Sequence, residues 1–440
     1  MFWLEFSFIL LCILIGSRIG GIALGAFSGF GLVIFTFVFH VEPTSPPIDV
    51  LLMILAVITA VCVMQSAGGL NYLVYVAEKA LRKKPSWITF IAPLVAYFFT
   101  FMSGTGHTVY ALLPVIAEVS REAGIRPERP LSISVIAAQQ AITACPISAA
   151  TVSLLALLSP FGINLGDILM VCIPSTLVGC LAGALVVNNI GAELSEDPVY
   201  QKKLLEGSIQ SLKKMDVMDS SSLSKARISV ALFLIGTISI VTLGGFAHLR
   251  PCWEIAGQMR PLSMPLAIEM IMLCVAAGIM CLKVDFSDAA SGTVAKAGFI
   301  AVVSIFGIAW LGDTFVAGNA DYINDSIGAV VTAYPALFAV ALFVLSILLY
   351  SQAATVLALM PLGIALKIPV PFLIAMFPAV NGYFFLPTYG TILAAIAFDQ
   401  TGSTKIGKYV LNHSFMIPGM VATTVSIMTG FLLSQLLIGF

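Results

Sequence analysis

Four short strings set hydroxyl or amide side chains beside glycine or proline within otherwise apolar sequence. They are Ser103-Gly104-Thr105-Gly106, Thr143-Ala144-Cys145-Pro146-Ile147-Ser148, Ser351-Gln352-Ala353-Ala354-Thr355 and Pro387-Thr388-Tyr389. Glycine permits sharp turns and proline removes a helix donor, so each string leaves main-chain N–H and C=O groups open beside polar side chains. Such groups can replace the hydration shell of a small polar ligand. The strings are also paired. Thr108-Val109-Tyr110-Ala111-Leu112-Leu113-Pro114 is echoed by Thr355-Val356-Leu357-Ala358-Leu359-Met360-Pro361, and in each half a proline beside a hydroxyl residue follows further along. In a membrane chain, interruptions at corresponding places of two halves point to a transporter's substrate site. In so apolar a sequence an echo this short needs support from topology.

Composition supplies the setting. Of 440 residues 59% are hydrophobic and only 10% charged, against roughly 45–50% and about 25% in soluble domains. The chain reads as an all-α polytopic membrane protein embedded in a lipid bilayer. Apolar runs such as Leu51 to Met64, Ile168 to Val187 and Phe415 to Phe440 approach the ~20 residues a helical span needs, and the ~10-residue alternating segments of a β-barrel are absent. The first apolar run lacks a basic n-region and a cleavage site, so it reads as a span rather than a signal peptide. The net charge is −1 and no basic patch suggests nucleic acid. The eight cysteines form no CxxC and the four histidines are dispersed, which supports no disulfide framework, metal site or cofactor. No HExxH, GxSxG or P-loop string points to an enzyme.

The basic residues orient the spans. Spans at about 3–17, 20–40 and 48–69 lead to a cytoplasmic segment with Lys79, Arg82, Lys83 and Lys84. Arg121, Arg126 and Arg129 form the next cytoplasmic cluster, and residues 85–120 between them are too few for two full spans. They therefore predict a re-entrant hairpin turning at Ser103 to Gly106. A span over 131–158 follows, broken near Pro146, and another over 168–187 returns inward. The polar stretch 191–227 is a cytoplasmic linker. The second half repeats the plan with every direction reversed: spans near 228–247, 263–282 and 294–312, an outer loop from Asp313, a hairpin over 335–368 with its tip at Ser351 to Ala354, a span over 370–399 broken at Pro387, and a last span. This places all but three of the 21 Lys and Arg residues (Arg250, Arg260 and Lys367) in the cytoplasm and both termini outside. The reading is an inverted repeat, residues 1–190 and 228–440 joined by 191–227, with two re-entrant hairpins and two broken transmembrane helices.

The strings Ser103-Gly104-Thr105-Gly106, Leu113-Pro114-Val115-Ile116-Ala117-Glu118, Ile142 to Ala150, Trp310-Leu311-Gly312-Asp313-Thr314-Phe315 and Leu349 to Thr355 resemble the anaerobic C4-dicarboxylate transporter family, Dcu, in its A/B branch. The resemblance covers nearly the whole chain. The tail of the Trp310 string and the Tyr350 string are more similar to the A subgroup than to the B subgroup, and His107 stands where the family pattern has Asn. The resemblance implies membership of the ion transporter superfamily, with a scaffold, a mobile transport domain and elevator-type alternating access. It implies exchange of aspartate, fumarate, malate and succinate across a bacterial inner membrane, by a protein whose relatives are commonly homodimers.

An anionic substrate suits the residues. Hairpin tips and broken helices present helix N-termini, free N–H groups and hydroxyls, and two matched sets suit two carboxylates. The substrate-binding candidates are Ser103, Gly104, Thr105, Gly106, Thr143, Pro146, Ser148, Ser351, Gln352, Thr355, Pro387 and Thr388. For any single Ser or Thr the competing role is a bond back to its own helix. Asp313 and His107 are candidates for ion or proton handling, because ionisable groups within membrane segments often serve function. The alternative mechanism is a sodium- or proton-coupled symporter, disfavoured because Ser-Asn-Thr tips suited to cation coordination are replaced by Ser-Gly-Thr and Ser-Gln-Ala.

Overall fold

A computed structural model describes residues 2–19, 22–46, 48–206, 220–255, 258–282, 287, 289–319, 322, 336–349, 351–387, 389–407 and 411–438. Helices α1 (Phe2–Ile19), α2 (Ala23–Phe37) and α3 (Ile48–Ser66) occupy the first three expected spans. Helix α4 (Gly69–Lys83) follows, then α5 (Ile88–Ser103), a 3-10 segment (Gly106–Ala111) and α6 (Leu113–Glu122). Next come α7 (Glu128–Ala144), α8 (Ala149–Leu158), α9 (Leu165–Val187) and the short α10 (Pro198–Leu205). The second half holds α11 (Ser220–Gly245), α12 (Met264–Met280), α13 (Thr293–Gly318), α14 (Ala336–Leu349) and α15 (Gln352–Ala365). It ends with α16 (Val370–Met376), a 3-10 segment (Phe377–Phe384), α17 (Gly390–Phe398) and α18 (Met416–Leu437). Among the described residues seven helices, counting α7 with α8 as one, are long and apolar enough to cross a membrane. The protein is an integral membrane protein. Residues 207–219 of the expected linker lie outside the described residues.

The packing falls into matched pairs. α9 lies along α18; α2 packs on α13 as α3 packs on α12; α1 meets α2 as α11 meets α12. Likewise α5 packs on α7 as α14 packs on the 3-10 segment 377–384, and α7 meets α9 as α16 meets α18. In lipid no hydrophobic force draws helices together, so close backbone approach carries the association. A Cβ at Gly25 would lie 2.1 Å from Val303 O, one at Gly307 2.2 Å from Gly25 O, and one at Gly179 2.3 Å from Ala422 O. Glycine alone fits these crossings.

Three details differ from the sequence reading. The third span stops at Ser66 rather than 69, and the stretch of helical spacing after it is the separate amphipathic helix α4. Its Arg82 pairs with Glu78 (2.9 Å) as the i, i+4 spacing predicts, and it also reaches Glu122 (2.8 Å) on α6. An antiparallel pair, Cys252–Ile255 with Gln258–Pro261, fills the connection before α12. Asp313 does not begin a loop. Helix α13 continues to Gly318 and leaves Asp313 half-buried within it, because one carboxylate does not stop a helix whose Thr314 and Phe315 still bury. The end is closed by Asn319, whose amide donates to Phe315 O (3.1 Å) and Glu5 Oε2 (2.6 Å).

At the bundle end that charge placement assigns to the cytoplasm, buried ions tie three chain segments together. Arg126 donates to Asp197 (2.5 Å) and Glu128 (2.6 Å), and Arg129 to Glu193 and to the carbonyls of Ile190 and Gly191. Glu128 in turn accepts from Ser414 Oγ (2.6 Å), while its N–H donates to Ser403 Oγ (3.1 Å). The buried Asp399 carboxylate accepts from Thr401 N, Thr404 N and the hydroxyls of Thr401 and Ser403, which makes it the organiser of its own turn.

Candidate binding site at two hairpin tips and two helix breaks

The first tip is a glycine turn. Gly104 has φ +71°, and its N–H closes α5 on Thr100 O (2.8 Å). Ser103 Oγ bonds back to Phe99 O (2.8 Å) and meets Thr108 Oγ1 (3.1 Å), while Thr105 Oγ1 accepts from His107 N (3.4 Å) at the start of the 3-10 segment. A Cβ at Gly104 would lie 3.2 Å from Ile147 O, so this tip rests on the interruption between α7 and α8.

That interruption is Cys145 to Ser148. Cys145 leaves helical geometry (ψ 123°) and its thiol donates to Phe101 O (3.1 Å) on α5. Ser148 caps α8, accepting from Thr151 N (3.1 Å) and donating to Ile142 O (2.6 Å); Thr143 Oγ1 bonds back to Gln140 O (2.8 Å). The Ser148 cap is fully buried. Ser148→Ala is expected to lower stability by about 1 kcal/mol, the usual worth of such a cap, measurable as a lower melting temperature of the solubilised protein.

The second tip opens α15. Ser351 Oγ accepts from Ala354 N (3.2 Å), and Thr355 Oγ1 donates to Ser351 O (2.8 Å). Gln352 reaches out of its own helix. The two N–H groups of its Nε2 are shared among three acceptors, the main-chain carbonyl of Gln139 (2.8 Å) on α7, Tyr383 Oη (2.8 Å) and Asn381 Oδ1. The 3-10 segment carrying Asn381 and Tyr383 is pinned to α14, since Gly382 N donates to Ser346 Oγ (2.8 Å). A Cβ at Gly382 would lie 2.4 Å from Phe343 O.

Aromatic rings link the two ends of this site. His107 stacks between Tyr110 (6.1 Å) and Tyr389 (6.2 Å), and Tyr389 packs on Tyr383 (4.6 Å), which holds Gln352. Tyr110 Oη also approaches Gly390 at the start of α17. Both hairpin tips and both helix breaks therefore meet in one connected set of contacts. No Lys, Arg, Asp or Glu occurs within 99–111, 139–151, 351–355 or 377–391. Hydrogen-bonding groups and helix-end dipoles, worth roughly half a charge each, supply the polarity there.

The model of the anaerobic C4-dicarboxylate membrane transporter family, DcuA/DcuB, matches residues 1–438. The C4-dicarboxylate transporter DcuA of Wolinella succinogenes is 42% identical over 436 residues, 99% of each chain. DcuA of Escherichia coli K12 is 43% identical over 446 residues and the whole of both chains. This chain belongs to the DcuA/DcuB family. DcuB of Escherichia coli O6:H1 is 38% identical over 448 residues, 99% of each chain, so the lean of the Trp310 and Tyr350 strings toward the A subgroup agrees with full-length identity. Among solved structures, the fold is similar to Alcanivorax borkumensis YdaH (TM-score 0.56, 15% identity, 100% of this chain and 98% of that one). It is also similar to Neisseria gonorrhoeae MtrF (TM-score 0.55, 13% identity, 99% and 94%). Members of the family are transporters, not enzymes.

Within this DcuA/DcuB chain, Ser103, Gly104, Thr105, Gly106 and His107 stand at one tip, and Ser351, Gln352 and Thr355 at the other. Thr143, Pro146 and Ser148 line the first break and Pro387 the second; Thr388 lies outside the described residues. Asp313 sits apart, on α13. Sequence reasoning missed Gln139, Asn381, Tyr383 and Tyr389. The signal for two of them was present: a buried amide in an apolar helix needs partners, and neither Gln139 nor Asn381 has one nearby in sequence.

Proposed function

We propose that this chain is a secondary transporter that exchanges C4-dicarboxylates across a bacterial inner membrane. The observation that carries the reading is the meeting of two hairpin tips and two helix breaks whose own strings carry no Lys, Arg, Asp or Glu. There, helix ends and amides can meet two carboxylates without a fixed counter-ion. Family membership and the names of the full-length relatives support the substrate class. The matched helix pairs support the inverted repeat of 1–190 and 228–440; the placement of Lys and Arg supports 191–227 as cytoplasmic linker, both termini periplasmic and the hairpins as re-entrant. In this reading the unit holding both hairpins moves as an elevator against α1–α3 and α11–α13, in each subunit of a homodimer. Bound dicarboxylate neutralises the converging dipoles, so the loaded unit crosses the apolar barrier and the empty one does not. Obligatory exchange follows.

Counterflow in sodium-free proteoliposomes tests this. Labelled fumarate is expected to exchange for internal aspartate, malate or succinate, and not for citrate or monocarboxylates. A strict sodium requirement would establish the symport alternative instead, and rapid efflux into substrate-free buffer would contradict the dipole-neutralisation mechanism.

A further inference from the structure

The amides at the second tip leave a pattern of unmet hydrogen bonds that selects among dicarboxylates. A main-chain carbonyl only accepts, so the bond from Gln352 Nε2 to Gln139 O fixes which side of the Gln352 amide is nitrogen. Asn381 must then present its oxygen to that nitrogen, which turns its Nδ2 away. Gln352 Oε1 and Asn381 Nδ2 consequently find no partner among the described residues, and neither does Gln139 Oε1. Gln352 is 4%, Asn381 1% and Gln139 2% exposed, so bulk solvent does not reach them here. Buried groups left in this state are destabilising until a partner meets them. Flipping Gln352 would turn its oxygen toward a carbonyl and worsen the balance.

The unmet set is one donor and one acceptor on the touching side chains of Asn381 and Gln352, with a further acceptor on Gln139, whose main chain Gln352 holds. A fully ionised unsubstituted dicarboxylate offers only lone pairs, so it can satisfy Asn381 Nδ2 but is repelled by Gln352 Oε1. A cation can satisfy the oxygens but not the N–H. A C4-dicarboxylate bearing an ammonium or hydroxyl on C2 meets both needs: the substituent donates to Gln352 Oε1 and the adjoining carboxylate accepts from Asn381 Nδ2.

We infer that Gln352 and Asn381 form a specificity subsite for the substituted end of a 2-amino- or 2-hydroxy-C4-dicarboxylate, with Gln139 Oε1 as a second acceptor. The subsite deepens the transport reading above and rests on it. It opens when the tip at Ser351 and Gln352 parts from the 381–383 segment, since substrate must reach atoms that are closed over here.

The test is the ratio of kcat/KM for aspartate to that for fumarate, with malate and succinate as a second pair, measured in proteoliposomes of the full chain. Ratios within one preparation cancel any loss of folded protein. Gln352→Met removes the acceptor and is expected to lower the aspartate-to-fumarate ratio at least about tenfold, the scale seen when a site loses a partner for a substrate's polar group. Asn381→Asp keeps the oxygen that faces Gln352 and replaces the donor with a charge. It is expected to shift the ratio the other way, because the aspartate ammonium offsets the repulsion and fumarate has no such group. A common factor for all four substrates in either variant overturns the subsite while leaving dicarboxylate exchange standing. A sodium dependence in the wild type that Gln352→Met abolishes would assign the oxygens to a cation and also overturn it. A wild-type protein that exchanges none of the four overturns both readings. If Gln352→Met does not fold, the direction of the Asn381→Asp shift decides alone.

Discussion

Gly390→Ala is expected to cut dicarboxylate exchange about tenfold or more, and adding Tyr110→Phe to restore most of it. A Cβ at residue 390 would lie 2.2 Å from Tyr110 Oη, whereas the next Tyr110 atom, Cζ, is 3.6 Å away at ordinary contact. The backbone at 390 needs no left-handed conformation, so space alone forbids the methyl group. The Tyr110 ring cannot swing aside freely, because His107 stacks on it and on Tyr389. Overpacking of this kind costs about 1–3 kcal/mol, and here it falls on the contact between the first tip and the second break. Single-turnover exchange in proteoliposomes checks the single and double variants. Equal loss in both would place the defect in folding of α17 instead.

Arg126→Ala is expected to destabilise the solubilised protein by about 3–5 kcal/mol, since removing one partner of a buried ion network leaves the others charged and unpaired. Arg126, Glu128 and Asp197 side chains are 7%, 13% and 11% exposed, and the bonds are 2.6 and 2.5 Å long. Thermal unfolding in detergent reads the loss. The network also predicts a pH effect. Burial pushes the Asp197 carboxyl up, but the N–H groups of Tyr200 and Val199 and the Arg126 guanidinium outweigh it and hold it below the usual carboxylate range. A carboxyl depressed in the folded state contributes stability that is complete above its unfolded pKa and is lost as pH falls through the folded one. The contribution is therefore present at neutral pH and disappears below about pH 4. Asp197→Asn is expected to remove that acid-side loss together with part of the neutral-pH stability.

Much of this protein was legible in its sequence. Apolar runs placed α1–α3, α9, α11–α13 and α18, because a helix in lipid satisfies its own backbone and needs only length and apolar side chains. Pro146 and Pro387 located both helix breaks, and Gly104 and Ser351 both tips, because those interruptions are local properties of the backbone. The i, i+4 pair of Glu78 and Arg82 was equally local. Where α13 ends was misjudged for the same reason: the reading stopped at the first carboxylate, while the partners that carry the helix to Gly318, among them Glu5, come from elsewhere in the chain.

Sequence by itself determined the membrane class, the segments and the positions where helices open, since each depends on neighbours along the chain. Only the tertiary structure decided which open groups meet and what they lack. Gln139, Gln352, Asn381 and Tyr383 join one network from three distant segments, and Tyr110 reaches Gly390 from the other half of the molecule. A buried amide is defined by the partners folding brings to it, and no periodicity or composition encodes those partners.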